Sequence, residues 1–306
     1  MAPVITQLPI SITGLGEGPH WDSDDNALYF VDIVNHTINK FEPETEKHTK
    51  AKLEMMAHFI LPIEGKKNHF LVTQGRKVVE IEWFADGRPP KILRTVTEVD
   101  QDYPKHVLND GKADPLGRLF TGTLVENPTV PNRAKDGSLY RIDHDGTTTK
   151  IASGIVCSNG LAWDLKEKAF YYVDSMTYEI KRYDYDVATG HISNPTVAFS
   201  FTKHGLEGVP DGMTIDTDGN LWVAGFWESG VLKVDPRKNK ILEKIPIPNP
   251  QVASVTFGGP NLDVLYVVTA NLVLEGKPEP QPSWGRTYAV TGVSGRGHPN
   301  LKVRLH

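Results

Sequence analysis

Val209-Pro210-Asp211-Gly212-Met213-Thr214-Ile215-Asp216-Thr217-Asp218-Gly219-Asn220-Leu221-Trp222-Val223-Ala224-Gly225 decides the reading of this chain. It places a carboxylate before a glycine (read as a tight turn at Asp211-Gly212), then an apolar run, a second turn at Asp218-Gly219-Asn220, and a strand at Leu221 to Ala224. The pattern recurs. Asn109-Asp110-Gly111 leads to Leu119-Phe120-Thr121, Ser158-Asn159-Gly160 to Phe170-Tyr171-Tyr172, and Gly16-Glu17-Gly18-Pro19 to Leu28-Tyr29-Phe30.

Working outward, second strands are marked by Tyr29, Phe70, Phe120, Tyr171, Trp222 and Tyr266, at separations of 41, 50, 51, 51 and 44 residues. A chain of 306 residues divided by six gives 51. A period near 50, built of short strands and Gly, Asp and Asn turns, is the signature of propeller blades. No window shows sustained 3.6-residue periodicity, and 22 prolines oppose long helices. The expected fold is all-β: one six-bladed propeller over residues 1–306, with Val4 to Ile12 supplying a strand that closes the last blade. The second blade is the least regular, carrying Leu61-Pro62-Ile63 where the others present a polar side chain.

A net charge of -5 and no basic run argue against nucleic acid as a partner. No apolar window reaches the ~18 residues of a membrane span. The one cysteine, Cys157, permits no disulfide within the chain and no cysteine-based zinc site. With no signal-like segment at the start, the expectation is a cytoplasmic monomer acting on a small molecule.

A propeller gathers the starts of its innermost strands around the central channel. Glu17, Asn159 and Asp211 would then supply two carboxylate oxygens and an amide oxygen, with Asn109 beside them. All-oxygen ligation suits one hard divalent cation, Ca²⁺, Mg²⁺ or Mn²⁺. Asn-Gly and Asp-Gly also make good turns, but four oxygen side chains at one place in four repeats favour a site over four coincidences. No Gly-x-Ser-x-Gly elbow is present, nothing pairs His20, His106 or His204 into a triad, and His20 reads as a hydrogen-bonded histidine within a blade.

Gly16-Glu17-Gly18-Pro19-His20-Trp21-Asp22, Leu108-Asn109-Asp110-Gly111-Lys112, Ser158-Asn159-Gly160-Leu161 and Pro210-Asp211-Gly212-Met213 resemble, in colinear order over residues 14–292, the markers of the regucalcin and gluconolactonase family. Pro250-Gln251-Val252-Ala253-Ser254-Val255 and Phe257-Gly258-Gly259-Pro260-Asn261 are similar to the insect luciferin-regenerating branch. The resemblance implies one divalent cation in the channel (Ca, Zn, Mn or Mg) held by Glu17, Asn159 and Asp211. It also implies Asp211 as general base, Asn109 as a substrate-binding residue, and hydrolysis of small lactones or esters. Two departures bear on substrate: Val107 stands where regucalcins usually carry arginine, and Asn127, beside Glu126, where they carry a substrate-binding glutamate. Losing a bidentate cation and an acceptor weakens the case for a sugar lactone. The alternatives are a luciferin-regenerating type of activity on an aromatic heterocycle and a calcium-binding regulatory protein without catalysis.

Overall fold

The computed structural model describes residues 2–125 and 135–306. Its described residues form six four-stranded antiparallel sheets around a central channel, a six-bladed β-propeller. Among the described residues helix is confined to two single turns, Ser175–Thr177 and Thr202–His204. No helix among the described residues is long and apolar enough to cross a membrane.

The innermost strands of blades 1 to 6 are Gly16–Asp22, Ile60–Pro62, His106–Ala113, Ser158–Asp164, Val209–Ile215 and Val252–Gly258. Each of the six aromatic markers lies on the strand that follows, from Ala27–Asp32 in blade 1 to Val264–Thr269 in blade 6. In the sixth sheet the order is Val4–Gln7, Tyr288–Thr291, Val264–Thr269, Val252–Gly258, so the N-terminal strand pairs with the strand nearest the end of the chain. That pairing covers an edge that would otherwise offer free N–H and C=O groups.

Among the described residues apolar side chains form six clusters, one at each blade interface. Blades 4 and 5 meet through Tyr171, Val173, Phe199, Met213 and Val223. Blades 6 and 1 meet through Trp21, Phe30, Tyr266 and Val268, with Trp21 stacked on Tyr266 at 5.3 Å. Burial of each such side chain stabilises by about 1.5–3 kcal/mol. Because the ring is closed, every blade is held from both sides.

The end of the chain adds a strap across the lower face that the repeat pattern does not announce. Thr217 N–H donates to Arg296 O at 2.8 Å, and Asn300 Nδ2 donates to Phe257 O at 3.0 Å. Lys302 Nζ lies 2.9 Å from Asp22. Val303 N–H donates to Pro62 O at 3.0 Å and Arg304 N–H to Gly117 O at 2.8 Å. Blades 5, 6, 1, 2 and 3 are thus tied by one segment.

Candidate metal and substrate site in the channel

The four oxygen-bearing side chains do sit near the start of inner strands, but not on turns. Asp211-Gly212 lies within Val209–Ile215, and the pairing register shifts there, between Pro210 and Met213. Equivalent shifts fall between Glu17 and His20, Leu108 and Gly111, and Ser158 and Leu161. These are β-bulges, which re-aim a side chain that would otherwise alternate between faces. The glycines serve close packing. A Cβ on Gly212 would meet Ser254 Oγ at 1.9 Å, and one on Gly160 would meet Asp211 O at 2.7 Å. Neither glycine has positive φ, so the reading of Asp211-Gly212 as a turn is corrected.

Glu17, Asn109, Asn159 and Asp211 are all buried. Asn109 Nδ2 donates to Asn159 Oδ1 at 3.0 Å and to Ser158 O at 2.6 Å. Asn159 Nδ2 donates to Ser175 Oγ at 2.8 Å, which holds the amide with its carbonyl oxygen toward Asn109. His58 Nδ1 lies 2.7 Å from Asn109 Oδ1; since a carbonyl oxygen only accepts, Nδ1 carries the proton. Burial pushes the His58 ring down to about 4, keeping it neutral. His58 precedes the short inner strand of blade 2, so the polar contribution missing from Leu61-Pro62-Ile63 comes from just upstream.

Electrostatically the site is a cluster of carboxylates. Burial, then Asp211, then Asp110 hold the Glu17 carboxyl well above its usual range. Burial and Asp110 do the same to Asp211. Asp110 itself is raised by burial, and Lys112 and the Gly111 N–H oppose the shift. Lys112 donates from Nζ to Met213 O and is pushed down by burial. Sequence reasoning did not single out Asp110, Lys112 or His58. The first two stand within the quoted Asn109-Asp110-Gly111-Lys112, so the signal was present.

Among the described residues no group of three or more His, Cys, Asp and Glu side chains is set to hold a metal ion. Glu17 and Asp211 provide two, and the third oxygen is the amide of Asn159. The donor chemistry nonetheless fits a hard cation: oxygen only, with excess buried negative charge facing one lysine. Val107 is buried and pairs with Leu124. Asn127 lies outside the described residues. His20 is buried, but its Nε2 has no hydrogen-bond partner among the described residues, against the expectation of a hydrogen-bonded histidine.

A groove of about 540 Å³ opens at the opposite ends of the inner strands, lined by Trp163, Leu165, Ile215, Arg237 and Leu301 among others. None of the four oxygen-bearing residues lines it. Buried, mutually repelling carboxylates are the stronger mark of chemistry, and they point to the channel.

The family model described as "SMP-30/Gluconolactonase/LRE-like region" matches residues 15–271. Regucalcin of Danio rerio is 32% identical over 286 residues, 93% of each chain. The Bacillus subtilis protein named "Putative sugar lactone lactonase YvrE" is 33% identical over 286 residues, covering 93% of this chain and 94% of that one. A solved luciferin-regenerating enzyme superposes with a TM-score of 0.96 at 39% identity, over 99% of this chain and 100% of the other. The chain therefore belongs to the SMP-30/gluconolactonase/LRE-like family.

Proposed function

We propose that this chain is a divalent-metal-dependent hydrolase of small lactones or esters, with the cation held by Glu17, Asn159 and Asp211. The observation that carries the reading is the buried set Glu17, Asp110 and Asp211: burial raises all three, Asp110 further raises Glu17 and Asp211, Asp211 raises Glu17, and Lys112 opposes the shift at Glu17 and Asp110. A cation, when bound, would supply Lewis-acid polarisation of the ester carbonyl. It would also favour the ionised form of Glu17 and Asp211, opposing the burial that now holds both raised.

Asp211 acts as general base. It takes a proton from the attacking water as oxygen adds to the carbonyl carbon; the C–O bond to the leaving group then breaks and Asp211 returns that proton to the departing alkoxide oxygen, giving acid and alcohol. Such a base is worth ~10²–10⁴-fold. Asn109, fixed by His58 and Asn159, stands beside the reacting group and orients it. Val107 offers apolar surface to the substrate side.

A panel of lactones and esters, assayed after chelation and again with Ca²⁺, Mg²⁺, Mn²⁺ or Zn²⁺, tests the proposal. Hydrolysis that returns with one of these cations is expected. Turnover indifferent to chelation and add-back would overturn metal dependence. A luciferin-regenerating type of reaction on an aromatic heterocycle is the second reading, favoured by the 39% identity to that enzyme and by Val107. A calcium-binding regulatory role predicts cation binding with no turnover across the panel.

A further inference from the structure

A cavity of about 30 Å³ lies beside Asp110, lined in part by His20, Lys112, Ser254, Asn300 and Leu301. Asn300 and Leu301 belong to the strap, which contributes to the cavity's wall. Two of the walls present buried polar atoms with no hydrogen-bond partner among the described residues: His20 Nε2 and Asp110 Oδ2. The other Asp110 oxygen accepts from Gly111 N–H at 2.8 Å. Unpaired buried groups of this kind cost about 1–3 kcal/mol each, so two lining one small cavity call for a common partner.

We propose that this cavity is the site of one internal water that bridges His20 Nε2 and Asp110 Oδ2, and that His20 is thereby a positioning residue for Asp110. A water needs roughly 10–15 Å³ and two to four polar partners. Both conditions hold, with the Ser254 side chain at the wall as a third candidate partner. The space is far too small for an organic ligand. A second metal ion is disfavoured because the Lys112 side chain already lines the cavity and supplies the positive charge. The water donates to the Asp110 carboxylate oxygen, and its remaining valences meet the neutral imidazole; burial holds that ring at about 3, so it carries no charge of its own. Asp110 follows Asn109 on the inner strand of blade 3, so holding its side chain in one place steadies the segment that presents Asn109 to Asn159.

The test is a crystal structure of the wild-type protein, with His20→Leu and His20→Gln alongside. We expect a single density peak within hydrogen-bond distance of both His20 Nε2 and Asp110 Oδ2 in the wild type. His20→Gln should keep it, and His20→Leu should lose the contact on that side and let the Asp110 side chain turn. In solution, oxygen-17 relaxation dispersion should count one fewer slowly exchanging water in His20→Leu than in the wild type, because a water held from one side only exchanges faster. A cavity without density, or a peak that does not touch Asp110, overturns the site. An unmoved Asp110 in His20→Leu overturns the positioning role. The water does not depend on the hydrolase reading: a bridging peak in a protein that hydrolyses no ester would sink that reading and leave this one intact.

Discussion

Asn109 Nδ2 and Asn159 Oδ1, 3.0 Å apart, join the inner strands of blades 3 and 4 at their bulges. A residue read as substrate-binding thus orients a residue read as a ligand. Asn109→Ala removes that donor and leaves His58 Nδ1 without its acceptor. A hydrogen bond of this kind is worth about 0.5–1.5 kcal/mol, so the cation dissociation constant should rise up to about tenfold. Titration calorimetry with the activating cation checks it. Unchanged affinity would mean that Asn159 is held by Ser175 alone.

Asp211→Asn keeps a carbonyl oxygen for the cation but accepts no proton. Turnover should fall by ~10²-fold or more while metal is retained. If Asp211→Asn keeps more than about a tenth of wild-type kcat with metal bound, the base lies elsewhere. Asp211→Ala should lose both activity and metal, read by elemental analysis of the purified protein.

Gly212→Ala tests the close approach of blades 5 and 6. Its Cβ would enter the space of Ser254 Oγ, and overpacking of this kind costs about 1–3 kcal/mol. Shortening the partner should relieve it, so Ser254→Gly combined with Gly212→Ala should recover at least ~0.5 kcal/mol beyond additivity. Denaturant unfolding of the four proteins measures the coupling. Strict additivity would place the strain elsewhere.

The blade count was legible because each second strand carries a large aromatic or apolar marker, Tyr29 through Tyr266, at nearly constant spacing. The placement of Glu17, Asn109, Asn159 and Asp211 near the start of inner strands followed from that repeat. Their local geometry did not. Asp-Gly and Asn-Gly favour turns in isolation, and only the neighbouring blade, through Ser254 or Met213, shows that these glycines are there for close packing. His58 and the strap from Arg296 to His306 were invisible for a related reason. Neither repeats, and each acts through contacts with residues distant in sequence, such as Asn109, Pro62 and Gly117.

Two buried histidines give the stability a pH slope. His20 sits at about 3 and His58 at about 4, both lowered by burial, against ~6.5 in an unfolded chain. Between pH 6 and 4 the unfolded chain binds protons that the folded protein refuses. Their contribution is therefore complete above pH 6.5 and lost as pH falls toward the folded values. Each contributes up to ~1.4 kcal/mol per pH unit in that window. His20→Gln lacks one of them, so its stability should fall less steeply with acid than the wild type. Urea unfolding at pH 6, 5 and 4 decides it, and parallel slopes would show that His20 protonates in the folded protein.

Val107 carries the last expectation, about substrate. It is buried on the inner strand of blade 3, two residues before Asn109, where the resemblance places an arginine. Arginine there would present a planar fork of donors to hydroxyls or an anion. Valine presents apolar surface, worth ~1.5 kcal/mol toward an apolar group if fully covered. Sugar hydroxyls desolvated against it would go without partners. The protein should therefore hydrolyse aromatic or alkyl lactones and esters faster than gluconolactone. Val107→Arg should raise kcat/KM for the sugar lactone about tenfold, ~1.4 kcal/mol in the barrier. Burial works against the variant, because a guanidinium with no substrate to meet must find water or the Glu17 and Asp211 carboxylates. Thermal unfolding of Val107→Arg must accordingly be measured beside its kinetics. If the variant stays folded, gains nothing on gluconolactone, and the wild type already prefers the sugar, then Val107 faces away from the substrate and His106 or another neighbour sets the preference.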